Sequence, residues 1–161
     1  MTDVQVFELA TRDRAYALSS WRESHKQTSA CRRVPWAFYK EHYGTPFARI
    51  LADGGTLALG AYRVTPDGPG ELLGFLVATP GRRVDTLHWV QTRFQDAAGA
   101  HVRRQGVASK LIEAAQLGSP FVYTLRSRRA QGRTTLDQVL AEKLAARGVT
   151  AVYEPFQEWL K

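Results

Sequence analysis

The chain has 161 residues, 44% of them hydrophobic, with four tryptophans, one cysteine and a formal net charge of +7. That is apolar material for one packed domain over residues 1–161, too short for two, and it excludes a disordered chain. No run approaches the roughly 18 consecutive apolar residues of a membrane span, and the single Cys31 excludes an internal disulfide or a cysteine-rich zinc site.

The opening "MTDVQVFELATRDR" lacks the basic-then-apolar order of a secretory signal, so the expected location is a reducing cytoplasm. "VQVFELA" (4–10) alternates as a strand does. "TRDRAYALSSWRESHK" (11–26) predicts a helix with Leu18 and Trp21 on one face. After the loop "TSACRRVP", Pro35 suits the first turn of a second helix, "PWAFYKEHYGTPFARILAD", which Gly44 and Pro46 are expected to break in two.

"TLALGAYRVTPDGPGELLGFLVATP" (56–80) reads as two strands joined by the turn chemistry of "TPDGPG", an antiparallel hairpin. "VDTLHWVQTRF" (84–94) adds a third strand, and strict alternation puts Thr86, His88, Val90 and Thr92 on one face. "QDAAGAH" (95–101) is a small polar connection. In "HVRRQGVASKLIEAA" (101–115), Val107, Ala108, Leu111, Ile112 and Ala115 make one apolar helical stripe that Gly118 can close as a C-cap. "PFVYTL" (120–125) is a strand, Thr135 with Gln138 fits a capping box, and Leu136, Val139, Leu140 and Leu144 continue a helix ending at Gly148. "VTAVYEPFQEWL" supplies a last strand and a tail. Hairpin-linked strands mixed with helix crossovers predict an α/β fold, a mixed sheet with helices on both faces.

The helix beginning near Gly106 collects positive charge and little bulk where backbone N–H groups lack internal partners. Such an end is a site for phosphate. Gly106 and Ala108 keep side chains away from the amides, and Arg103 and Arg104 add charged donors. The same residues read equally as an ordinary helix start with a solvated arginine pair. G-x-x-x-x-G-K-[ST] is absent, as is G-x-G-x-x-G after the first strand, so a P-loop nucleotidase and a Rossmann site are excluded.

The turn Arg103-Arg104-Gln105-Gly106-Val107-Ala108 resembles R/Q-x-x-G-x-G/A, the acyl-coenzyme A pyrophosphate loop of the GCN5-related N-acetyltransferases (the GNAT superfamily). The element order resembles that superfamily over nearly the whole chain. "SWRESHK", "LHWV" and "RRQGVASKLIEAA" are similar to a bacterial and phage-encoded group within it. The resemblance implies a single GNAT-like domain with a mostly antiparallel mixed sheet. It also implies that acetyl-CoA or another acyl-CoA binds, its pyrophosphate held by amides of Arg104, Gln105, Gly106, Val107, Ala108 and Ser109. The edge of the strand Leu87–Gln91 would pair with the pantetheine arm, and an N–H at Val90 or Gln91 would polarise the acyl carbonyl while an amine attacks directly. Two features depart from the family pattern. "RFQDAAGAH" intervenes between strand and loop, and the helix after "FVYTL" has no tyrosine.

Amine acylation needs a base and an acid for the leaving sulfur. His88, mid-strand, suits the base or is a histidine satisfied on the sheet face; Tyr123 is the candidate acid or a packing residue. Glu71 could meet a cationic substrate or is a solvated hairpin acid, and His101 could touch phosphate. Trp21 and His25, with Trp36, Tyr39 and Tyr43, fall in the helical region that shapes the acceptor pocket in this family. The four histidines show no metal spacing, so no metal is expected. The arginines of "LRSRRAQGR" (125–133) and the net charge favour nucleic acid as partner in a second reading, a GNAT-fold protein that binds or modifies nucleic acid without acetyl-CoA.

Overall fold

The structure is a computed structural model that describes residues 4–28, 31–102, 105–124, 142 and 144–153, the side chain of Tyr153 excepted. Arg103, Arg104, the basic stretch 125–133, the capping box at Thr135 and the tail after Tyr153 lie outside the described residues.

Strand β1 (Val4–Glu8) leads into α1 (Thr11–Lys26), followed by α2 (Trp36–Tyr39), a π-helical segment (Lys40–Gly44) and α3 (Thr45–Ala52). Then come β2 (Leu57–Thr65), β3 (Gly68–Thr79), β4 (Asp85–Thr92), α4 (Val107–Ala115), β5 (Phe121–Tyr123) and β6 (Ala151–Tyr153). The six strands lie side by side in chain order. β1 through β4 pair antiparallel, whereas β5 runs parallel to both β4 and β6. The mixed α/β architecture expected from the element order is the one observed.

Each sheet face has its own core. On one, α4 places Val107, Leu111, Ile112 and Ala115 against Leu59, Ala61, Leu73, Leu76, Leu87 and Phe121. On the other, α1 and α3 place Ala17, Trp21, Phe47 and Leu51 against Ala58, Tyr62, Phe75, Val77 and Trp89. Trp21 is fully buried and stacks on Phe47 at 4.2 Å between ring centroids; truncating such a residue to alanine costs about 3–5 kcal/mol.

Two expected breaks take a different form. Gly44 and Pro46 do not split the second helical region, because the backbone passes through a π-helical segment instead. Pro46 has no N–H to give, and the carbonyl of Gly44 turns to the Arg22 guanidinium, at 2.5 and 3.2 Å. Gly118 does not cap α4. Gln116 takes the left-handed conformation there (φ 48°), while the Gly118 N–H donates to Asp85 Oδ2 at 2.7 Å. At the far end of the chain Gly148 (φ 76°) closes a helical turn as expected, with the Val149 N–H donating to the Leu144 carbonyl.

Candidate functional site

Three features converge at the C-terminal half of β4. The first is a β-bulge. Val77 pairs with Trp89 and Ala78 with Leu87, which leaves His88 as the extra residue. The bulge resets the alternation predicted from sequence. Thr86 and His88 share a face, but beyond the bulge Trp89 and Gln91 join them on the α1 side, and Val90 turns to the α4 side with Leu87.

The second is an edge. Among the described residues β5 pairs with β4 over Asp85–Leu87, and Thr124 then donates its N–H to the Leu87 carbonyl and its hydroxyl to the His88 carbonyl, both at 3.2 Å. Thr124, 6% exposed, thus clamps the bulge from the neighbouring strand. β4 itself continues to Thr92 along β3. The Arg93 N–H donates to Leu73 at 2.8 Å, and two residues earlier Gln91 faces Phe75 in the same register. The Gln91 amide therefore belongs to the β3 ladder, and that of Val90 points toward the β5 side.

The third is the start of α4. Gly106 has φ 77°, a conformation that favours glycine, and no side chain caps the helix. The first intrahelical bond runs from Lys110 N–H to the Gly106 carbonyl, so the amides of Gly106, Val107, Ala108 and Ser109 have no i−4 partner within α4. A Cβ built on Gly106 meets no described residue beyond its chain neighbours within 4 Å. Gly74 lets this end approach the sheet: a Cβ there would stand 3.0 Å from Val107 Cγ1 and 2.7 Å from the Gln91 carbonyl.

The connection between β4 and α4 is a folded hairpin. Gln95 bridges His101, the Asp96 N–H donates to Ala100, and the Val102 N–H donates to Phe94 at 3.1 Å. Asp96, its side chain 5% exposed, accepts from the Ala98 and Ala100 N–H groups and from Arg63. The Arg63 hydrogen bond, helped by those two amides, holds the Asp96 carboxyl below its ordinary value. Glu71 accepts from Arg63 at 3.1 Å, from Arg93 at 3.2 Å and from the Ala97 N–H at 2.7 Å. Both Glu71 oxygens thus take part in fixing the hairpin.

The remaining sequence-predicted residues divide between the two faces. His88 is 4% exposed, hydrogen-bonded through Nε2 to Thr79 Oγ1 at 2.8 Å and set beside Trp21. Tyr123 packs on the α4-side core, on the opposite face from His88. Trp21 lies wholly in the interior. His25 bonds the Tyr39 hydroxyl at 2.9 Å inside a group of rings with Tyr43 and Phe47. The Gln91 side chain ties β4 to α1, donating to Ser20 and accepting from Ser24 and the Trp89 indole. Sequence reading missed Thr124, Gly74 and Asp96, all of which act through residues distant in the chain. Among the described residues no three His, Cys, Asp or Glu side chains converge on a metal-sized site, and no helix is long and apolar enough to cross a membrane.

The fold has a counterpart among solved structures. The "histone acetyltransferase HPA2 and related acetyltransferase" of Corynebacterium glutamicum matches with a TM-score of 0.54 at 16% identity, covering 91% of this chain and 83% of that one. A GNAT family acetyltransferase from Brucella melitensis in complex with acetyl-CoA matches at 0.41 and 21% identity, over 71% of this chain and 67% of that one. The PaiA N-acetyltransferase of Thermoplasma acidophilum, in complex with coenzyme A, gives 0.42 and 18%, over 71% and 70%. The Corynebacterium likeness establishes the fold: this chain shares the architecture of that acetyltransferase structure. No protein-family model and no curated protein sequence matches the chain.

Proposed function

We propose that the protein is an acyl-CoA-dependent N-acyltransferase that moves an acetyl or other acyl group to an amine by direct attack. The observation that carries this is the start of α4 at Gly106, which has no side-chain cap and is set by Gly74 against the end of a bulged β4 that runs past the pairing it makes with β5 among the described residues. Amides without an i−4 partner in the helix suit a pyrophosphate, since the helix dipole and such N–H groups both favour an anion. Gly106 through Ser109 are the residues proposed to hold it, with Gln105 at the turn; Arg103 and Arg104, which lie outside the described residues, are proposed as added charged donors.

Acyl-CoA supplies a thioester carbonyl; the amine nitrogen bonds to its carbon as the carbon–sulfur bond breaks and a thiol leaves. In the proposed arrangement the Val90 N–H donates to the carbonyl oxygen, a fixed donor placed where negative charge develops. Gln91 serves by its side chain, fixing β4 to α1. A ligand between the edges of β4 and β5 meets both faces of the sheet. His88, on the α1 side, is the proposed acceptor of the amine's proton, and its burial means that the proton reaches it from within the gap. Tyr123, on the α4 side, is the proposed donor to the departing sulfur.

The test is an assay of free thiol released from acetyl-CoA in the presence of a panel of amines. Thiol release that depends on the amine supports the reading, and Tyr123→Phe is then expected to lower kcat at least ~100-fold with little change in affinity for acetyl-CoA. Unchanged kcat in Tyr123→Phe removes Tyr123 from the mechanism. Absence of release with every amine, together with absence of acetyl-CoA binding, overturns the reading itself.

A further inference from the structure

We propose that the hairpin between β4 and α4 is a nucleobase platform, on which Phe94 and His101 receive the adenine of the coenzyme. This rests on the coenzyme reading above and extends it to a part of the ligand that the start of α4 does not reach.

Phe94 is 53% exposed, and it meets the imidazole of His101 edge to face at 4.9 Å between centroids and 89° between planes. His101 is exposed as well. A single exposed phenylalanine is ordinary on a protein surface. This one is distinguished by the effort spent on holding it. The turn beneath it is fixed by Asp96, which takes three donors, and by Glu71, which takes two arginines and the Ala97 N–H. Arg63 and Arg93 pair with Glu71, and Arg63 also with Asp96, while Phe94 and His101 stand exposed on the hairpin above them.

The hairpin is also one unit with the start of α4. The Phe94 carbonyl accepts from the Val102 N–H, and the Val102 carbonyl accepts from the Gln105 N–H at 3.3 Å. The Gln105 side chain donates to the His101 carbonyl, and Gly106 follows directly. Val102 is 1% exposed and roots the hairpin in the core. An anion-binding helix end and a pre-set aromatic surface are thus joined by hydrogen bonds within a few residues. A ligand that presents phosphate and a flat base together is a nucleotide. Base–aromatic stacking adds about 1–3 kcal/mol per base, close to tenfold or more in affinity.

Calorimetric titration with acetyl-CoA and with acetyl-4′-phosphopantetheine, which lacks the adenosine, tests this on the parent, Phe94→Ala, Phe94→Leu and His101→Ala. The expected result is that the parent binds acetyl-CoA the more tightly. Both Phe94 variants should then lose about tenfold for acetyl-CoA and nothing for the truncated ligand, whose unchanged binding shows the variants to be folded. His101→Ala should lose less, and only for acetyl-CoA. A parent that binds acetyl-CoA while both Phe94 variants bind it equally well overturns the platform and leaves the coenzyme reading standing. A parent that binds neither ligand overturns both.

Discussion

Gly74 and Val107 are in contact across the sheet in a way that only a missing side chain permits: a Cβ on Gly74 would come within 3.0 Å of Val107 Cγ1. The nearest neighbour, the Gln91 carbonyl, is backbone and would stand at 2.7 Å, so it cannot swing aside. Gly74→Ala is therefore expected to destabilise the fold by about 1–3 kcal/mol through overpacking and to lift the start of α4 off β4. Urea unfolding reads the first effect. A loss of acyl-CoA affinity larger than that of an equally destabilised variant far from the site reads the second.

Tyr62 closes the start of α1. Its hydroxyl donates to Asp13 Oδ2 and accepts from the Ala10 N–H, each at 2.9 Å, and burial is the main cause that pushes its own ionisation up. Tyr62→Phe leaves both partners short, at an expected cost of about 1–3 kcal/mol in unfolding free energy. A variant with the parent's urea midpoint and slope would show that water replaces the hydroxyl at no cost.

The Asp96 anchor carries a pH signature. Its carboxyl ionises more readily in the folded chain than its reference value of 3.8, chiefly through Arg63. The contribution to stability is thus complete above that reference and is lost as pH falls through the lower folded value. The gap in urea midpoint between the parent and Asp96→Asn should be constant near neutral pH and shrink only below about pH 4. A gap that closes on the alkaline side instead contradicts the assignment.

Cys31 is 2% exposed, and burial raises its thiol pKa against the smaller opposing effects of Thr28 and Lys26. A thiol so placed is protonated and shielded at neutral pH. Thiol reagents should modify it many-fold more slowly in native protein than in urea-unfolded chain. Equal rates would place it at the surface.

Local chemistry made much of this fold legible in the sequence. The α1 pattern from Thr11 to Lys26 reproduces the observed span, and the turn residues around Asp67 mark the β2–β3 hairpin. Gly106 could be read as a special backbone position because a small residue at a helix entry has few other uses. What escaped depends on partners distant in sequence. Nothing near His88 announces a bulge, which is visible only once β3 supplies the register and Thr124 the clamp. "QDAAGAH" looks structureless alone, yet Arg63 and Glu71, each more than 20 residues upstream, order it. Gly118 was the natural candidate to cap α4, and Asp85 drew it into another bond.

The central claim is that the start of α4 is a pyrophosphate site, and calorimetric titration with acetyl-CoA tests it most directly. Gly106→Glu is compared with Gly68→Glu, which introduces the same residue at another positive-φ glycine (φ 111°) in the β2–β3 hairpin. Both positions have positive φ, so strain from adding a side chain is common to the two variants. The account predicts saturable binding by the parent and by Gly68→Glu, and its loss in Gly106→Glu with the fold retained. Binding that survives in Gly106→Glu, or that the parent never shows, would contradict it.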